Sequence, residues 1–323
     1  MDDIKNLGIG EPVASPTRQY YEQLRAMSGG LEPLRTAIVH PVDTASLRGA
    51  VEASRAGLIV PVLVGPEPRI RAAAEQAGLD LAGIEIAATP HSHAAAAAAV
   101  AMACTGRVEA LMKGALHTGE IMHAALAPVH GLRTGRRMSH VFAIDAPGYP
   151  RPLFVTDAAI NIYPTLSDKK DIVQNAVDLV RVLGVERPRV AILSAVETVE
   201  ENIRSTLDAA ALCKMADRGQ ICGGVLDGPL AFDNAVSEEA AMVKGIVSAV
   251  AGRADILVVP DLEAGNLLAK QLEYLAGAQI FGIVLGARVP IILTSRADKT
   301  LARLGSCAIA QLLARRRSKV LSQ

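Results

Sequence analysis

The chain alternates between two kinds of segment, and that alternation restricts it to few architectures. Short apolar runs recur along it: "RTAIVHPV", "LIVPVLVG", "IEIAAT", "EALMKG", "RVAILSA" and "ADILVVPD". Between them lie longer stretches with helical spacing, over residues 43–56, 66–76, 92–105, 168–183, 199–214, 238–250 and 265–275. Strands buried on both faces read as continuous apolar runs, and parallel strands need a helix-length crossover. The pattern predicts an α/β fold with mostly parallel sheets. One interval departs from it. "MSHVFAIDAPG" and "RPLFVTDAA" flank the turn "APGYP", which predicts a hairpin or adjacent strands. Further helices are expected near residues 19–27, before "SGG", and over 301–317, where closing arginines suit the helix dipole.

A chain of 323 residues, half of them apolar, is long enough for two domains. Turn residues cluster at Ala146–Pro150. The expected division is therefore 1–147 together with 297–323, and 148–296, with a cleft at the seam. Lysine plus arginine and aspartate plus glutamate balance at 33 each, which argues against a nucleic-acid or membrane surface. Tryptophan is absent and aromatics make up 3%, a poor supply for base stacking. Cys104, Cys213, Cys222 and Cys307 form no Cys-x-x-Cys pair and are expected as reduced core residues. The start "MDDIKNLGIGEP" has no apolar run after a basic segment, and the alanine-rich run at 94–104 is too short to span a bilayer. These features predict a cytoplasmic protein.

Three glycine-containing loops follow predicted strands: "LMKGALHTGE", "VLDGPLAFDNAVS" and "VPDLEAGNLLAK". A strand end opening onto a helix presents free N–H groups and a positive dipole end, which favour an anion. The first loop offers Lys113, Gly114, His117 and Thr118, with His123 in the helix beyond. The second offers Asp227, Gly228, Pro229 and Asp233, and the third places Gly265 and Asn266 at an expected helix start. Each loop alone is also what a plain tight turn looks like. None matches a dinucleotide or P-loop fingerprint. A fourth stretch, "PIILTSRADKT", starts as a core strand and delivers Ser295, Arg296 and Asp298 at its end. That is a hydroxyl, a guanidinium and a carboxylate where ligands bind in α/β sheets. The alternative is a surface turn in which Arg296 and Asp298 pair with each other. His91 and His93 suggest a metal pair, but no third ligand is evident, and His40, His130 and His140 are expected to be structural.

The blocks "LMKGALHTGEIMHAAL", "DGPLAFDNAVSEEAA", "PDLEAGNLLAK" and "PIILTSRAD" resemble, in order and spacing, those of the phosphate acetyl/butyryltransferases. The likeness runs from about residue 33 to the end. It is closer to the butyryl branch, and to the acyltransferase part of hydratase fusions, than to the main acetyl branch. The resemblance implies two α/β domains of isocitrate/isopropylmalate dehydrogenase-like architecture, usually dimeric. It implies reversible transfer of an acyl group between coenzyme A and phosphate through a ternary complex. CoA is then a substrate, with no tightly bound cofactor and no metal.

Under that resemblance Asp298 takes the thiol proton, Arg296 neutralises phosphate or the oxyanion, and Ser295 donates to the carbonyl or holds the sulfur. Two departures stand out. The acetyl branch carries an arginine in the helix after the first glycine loop, where this chain has His123. Arg133, Arg136 or Arg137 would have to compensate. In the acetyl branch the base lies several residues further past the Ser-Arg pair than Asp298 does. The acyl pocket is expected from Met112, Leu116 and Met122. Two competing functions are a metal- and NAD-dependent β-decarboxylating dehydrogenase of the same fold and a non-catalytic acyl-CoA or phosphate-binding protein.

Overall fold

The computed structural model describes residues 19–293 and 300–321. Their strands form one sheet. In chain order these are β1 (Leu34–Val39), β2 (Ile59–Gly65), β3 (Glu85–Ala88), β4 (Ala110–Lys113), β5 (Ser139–Asp145) and β6 (Leu153–Thr156). β7 (Arg189–Leu193), β8 (Val225–Leu230), β9 (Ile256–Val258), β10 (Gln279–Leu285) and β11 (Ile291–Ile292) follow. Across the sheet the order is β3-β2-β1-β4-β11-β10-β5-β6-β9-β7-β8.

Two parallel blocks, β3-β2-β1-β4-β11 and β6-β9-β7-β8, flank a centre in which β10 pairs antiparallel with both β11 and β5. The expected hairpin is present as the antiparallel pair β5–β6. Three reversals separate the blocks, so their strands run in opposite senses and their carboxyl ends face opposite ways.

The helices cover both faces. α2 (Thr44–Arg55) starts at Asp43, whose side chain accepts from Ser46 N at 2.7 Å, as "VDTAS" implied. α4 (Ser92–Cys104) and α5 (Thr118–Ala125) pack on one face of the first block, in a core that includes Ala99, Val100, Ile121 and Ala125. α1 (Gln19–Ser28), α6 (Leu166–Val182) and the last helix, α11 (Thr300–Leu321), share a second core built on Leu24, Val177, Phe281 and Ile309. A third core under α10 (Leu262–Tyr274) holds Val155, Leu257 and Ala269.

Several helix boundaries differ from expectation, three of them for a reason visible in the hydrogen bonds. α7 spans Arg204–Asp217 and does not include residues 199–203. There the Thr206 hydroxyl donates to Glu200 O at 2.9 Å and accepts from Glu200 N at 2.9 Å, holding the segment as a turn. The stretch expected as helix over 238–250 stops at Val243, in α9 (Glu238–Val243). Gly245 adopts φ 66, Gly245 N reaches Met242 O and Ile246 N reaches Ala241 O, the Schellman arrangement that ends helices. α10 begins at Leu262, because Asp261 caps it by accepting from Ala264 N at 2.9 Å, so Gly265 lies inside the helix. Of the four cysteines, all free thiols, only Cys307 is fully buried, and Cys222 is exposed.

Candidate active site

The first glycine loop is built by the end of β4 against the end of β1. Gly114 N donates to Val39 O and Ala115 N to His40 O, both at 2.9 Å. A Cβ on Gly114 would stand 2.5 Å from Val39 O, so only glycine permits the approach. Lys113, the last residue of β4, is thereby held buried at 6% exposure with its side chain at the cleft wall. The loop then enters α5. Glu120 on its first turn accepts from His117 N at 3.0 Å and from the Ser92 hydroxyl, and His93 Nε2 lies 3.5 Å away. The Ser92 hydrogen bond, followed by that from His117 N, holds the Glu120 carboxyl below its ordinary pKa.

Facing this loop is α10. Leu262, Asn266, Ala269, Lys270 and Glu273 share one side of it and line a cleft of about 540 Å³ together with Lys113, His117 and Thr118. Gly265 lets the helix sit close to the sheet, because a Cβ there would be 2.9 Å from Ala158 Cβ and 2.7 Å from Val259 Cγ2. Asn266 Nδ2 donates to Ala158 O at 3.3 Å, and Lys270 Nζ pairs with Glu273 Oε2 at 2.7 Å. The floor is the antiparallel centre of the sheet: His140 and Phe142 from β5, Ile280 and Gly282 from β10, and Leu293 after β11. Next to the floor, buried Asp157 accepts from Ala159 N and Ile160 N at 3.0 Å each, fixing the loop whose Ala159 lines the cleft. Burial pushes the Asp157 carboxyl up, against the pull of those hydrogen bonds.

Several expected residues therefore meet: Lys113, His117, Thr118 and Asn266 line one cleft, and Gly114 and Gly265 shape it. Others do not. The second loop lies at the far edge of the sheet, and Gly228 and Pro229 are part of β8 itself. An edge strand tolerates a proline because one side of it has no partner to hydrogen-bond. There Asp227 Oδ1 accepts from Gly228 N at 2.8 Å, and Asp233 pairs with Lys244 at 3.3 Å. None of these four residues lines the cleft.

His123 is exposed near the end of α5, away from the cleft lining. Arg133 is exposed and bridges Ala287 through its backbone. Arg136 pairs with Asp178, and Arg137 Nε donates to Asn161 Oδ1 at 2.8 Å, so neither stands in for the missing arginine in the cleft. Met112 and Met122 belong to the cores, and of the expected acyl wall only Leu116 faces the cleft. Ser295, Arg296 and Asp298 lie outside the described residues. Leu293, two positions before Ser295, lines the cleft.

Phe142, Lys270 and Glu273 were missed in the sequence. For the α10 residues a signal existed: 262, 266, 269, 270 and 273 follow the spacing of one helix face. Among the described residues no group of three or more His, Cys, Asp or Glu side chains is placed to hold a metal ion, and no helix is long and apolar enough to cross a membrane.

The family model described as "Phosphate acetyl/butaryl transferase" matches residues 87–311. A phosphate acetyltransferase of Rhizobium meliloti is 60% identical over 304 residues, covering 94% of this chain and 96% of the relative. A phosphate butyryltransferase of Clostridium acetobutylicum is 42% identical, covering 88% of this chain and 94% of that protein, so the higher identity of the two falls on the acetyl side. The crystal structure of a branched-chain phosphotransacylase from Enterococcus faecalis V583 superposes with a TM-score of 0.77 at 28% identity, covering 87% of this chain and 99% of that one. A 4-hydroxythreonine-4-phosphate dehydrogenase from Klebsiella pneumoniae shares the fold alone, with a TM-score of 0.53 at 14% identity over 87% of this chain and all of that one. The dehydrogenase-like α/β architecture expected from the sequence is thus present, and the chain belongs to the phosphate acetyl/butyryltransferase family.

Proposed function

We propose that this protein transfers a short acyl group, acetyl first among them, reversibly between CoA and inorganic phosphate in the cleft under α10. The observation that carries this is the 60% identity, over nearly the whole chain, to a phosphate acetyltransferase. The cleft suits the chemistry. Its apolar floor of Phe142, Ile280 and Leu293 accommodates an acyl chain, and the buried ammonium of Lys113 supplies charge for a phosphate oxygen. His117, Thr118 and Asn266 add hydrogen-bonding groups around it.

Ser295, Arg296 and Asp298 complete the site in this proposal, with the roles the family resemblance assigns them. In the direction of acyl-CoA formation the CoA thiol must ionise. With a free-thiol pKa of about 8.5, this costs about 2 kcal/mol at pH 7, within the reach of one positioned carboxylate such as Asp298. Phosphate is a competent leaving group, so no covalent enzyme intermediate is required. The cleft lies, in this reading, between two units, 1–147 with 297–323 and 148–296.

Two copies are proposed to pair through the outer surface of α9, α10 and the loop after α9. Those elements expose Met242, Val243, Val247, Leu267, Tyr274 and Leu275, apolar side chains of the kind an interface covers. Sedimentation equilibrium tests the pairing. A cytoplasmic enzyme with freely exchanging CoA completes the proposal.

Thiol release tests the activity: purified protein is mixed with phosphate and acetyl-, butyryl- or longer acyl-CoA, and free CoA is followed with a thiol reagent. Phosphate-dependent release is expected, fastest with the acyl group that fits the floor. Release without phosphate would make the protein a thioesterase. Binding of CoA by folded protein with no release from any acyl-CoA would leave a non-catalytic binding protein.

A further inference from the structure

His140 occupies an unusual position for a polar side chain. It sits on β5 in the cleft floor, 1% exposed, with its ring edge-on to Phe142 at a centroid distance of 4.3 Å. Its backbone is pinned by the Thr156 hydroxyl, which donates to His140 O at 2.8 Å. Nδ1 is sealed from solvent and has no hydrogen-bond partner. A buried N–H left unpaired is rarer than an unpaired acceptor, so the bare nitrogen is the lone pair and the proton resides on Nε2. Burial lowers the pKa to about 3, which keeps the ring neutral with a single N–H.

The Nε2 edge faces Gly282 on the neighbouring strand, another floor residue. A methyl group there would stand 2.9 Å from Nε2 and 2.9 Å from Leu293 O. With no side chain at Gly282, the ring can sit hard against β10 with its Nε2 edge beside the strand end that leads to Ser295.

We propose that His140 Nε2–H donates a hydrogen bond to the acyl oxygen of the bound substrate and stabilises the oxyanion formed during transfer. This rests on the phosphate acyltransferase reading. In that reaction a phosphate oxygen lone pair forms the new O–C bond to the thioester carbon, and the carbonyl π pair moves onto the acyl oxygen. On collapse the C–S bond breaks with its pair on sulfur, and the proton from hydrogen phosphate ends on the CoA thiol. The acyl oxygen is neutral before attack and charged at the intermediate, so a donor aimed at it acts mainly in the transition state. The residues against the ring, Phe142 and Gly282, are uncharged, which suits a neutral acyl oxygen better than a phosphate dianion.

The test compares His140→Gln, whose amide nitrogen approximates Nε2, with His140→Asn, whose amide nitrogen approximates Nδ1. Both variants are checked for folding by thermal unfolding. The expected result is kcat within about tenfold of the unsubstituted enzyme for Gln and lower by about 100-fold for Asn, with KM for phosphate unchanged in both. Equal kcat in the two variants, or a loss confined to KM for phosphate, overturns the proposal. A measurement on the unsubstituted protein needs no variant: ¹⁵N NMR should show the Nε2–H tautomer, with its proton moving downfield when a non-cleavable ketone analogue of acetyl-CoA binds. An Nδ1–H tautomer, or no movement on binding, overturns it as well. Absence of phosphate-dependent turnover by the unsubstituted enzyme would instead remove the underlying acyltransferase reading.

Discussion

The loop after β4 and the Asp-Gly-Pro stretch of β8 look alike in sequence, each pairing a strand with glycine and polar groups, yet they serve the molecule differently. In the first, glycine draws the backbone of β4 onto β1 and leaves Lys113 at the cleft. In the second, an added Cβ on Gly228 would stand 2.6 Å from Ile192 O, and the polar groups close on themselves. The difference is one of strand order. β4 lies next to the antiparallel centre, whereas β8 is the outermost strand of the opposite block. A motif's chemistry is local, but whether it meets a partner depends on which strands lie between them.

Substitutions can sharpen that contrast. The largest effect is expected for Arg296→Ala: about 100-fold or more in kcat/KM for phosphate, the loss of two charge-assisted hydrogen bonds of about 1.5–3 kcal/mol each. Lys113→Met removes one such contact and should lower the same constant about tenfold to 100-fold. Gly228→Ala, at the edge, should lower stability by about 1–3 kcal/mol in urea unfolding while leaving KM for phosphate as it was. If it raised KM instead, β8 would belong to the site.

Glu120 gives a pH signature. Its folded pKa lies below the ordinary 4.5, so its contribution to stability is complete above that value and is lost as pH falls through the lower folded value. The Tm difference between the protein and Glu120→Gln should therefore be widest above pH 4.5 and close on acidification. A gap that widened in acid would reverse the assignment. The smallest effect is expected at His123, exposed outside the cleft: His123→Ala should change kcat/KM less than twofold. A tenfold loss would restore it as a phosphate partner.

Much of the fold was legible because buried parallel strands and their crossovers leave strong periodic signals, and the β5–β6 hairpin was marked by its turn. The joining of both halves into one sheet was not, because nothing local in the closing pair of strands, β10 and β11, shows that they pair with β5 and β4, over a hundred residues away. Helix starts failed where a single side chain decided them, as with Asp261 and Thr206. In the site, Lys113, His117, Thr118 and Asn266 were found through their loops. His140 reads as structural in the sequence because nothing local distinguishes a polar residue on a buried strand from one that faces a cleft. Only its pairing across from the glycine-bearing strand β10 reveals that.

The central claim is that acyl transfer occurs in the cleft between Lys113 and α10 and not near β8. Hydroxylamine trapping of acyl phosphate tests it most directly, with acetyl-CoA, phosphate and three proteins: unsubstituted, Lys113→Met and Asp227→Asn. The account predicts phosphate-dependent hydroxamate from the first and third at equal rates and a loss of about tenfold to 100-fold in the second at subsaturating phosphate. Full activity in Lys113→Met, or an equal loss in folded Asp227→Asn, would contradict it.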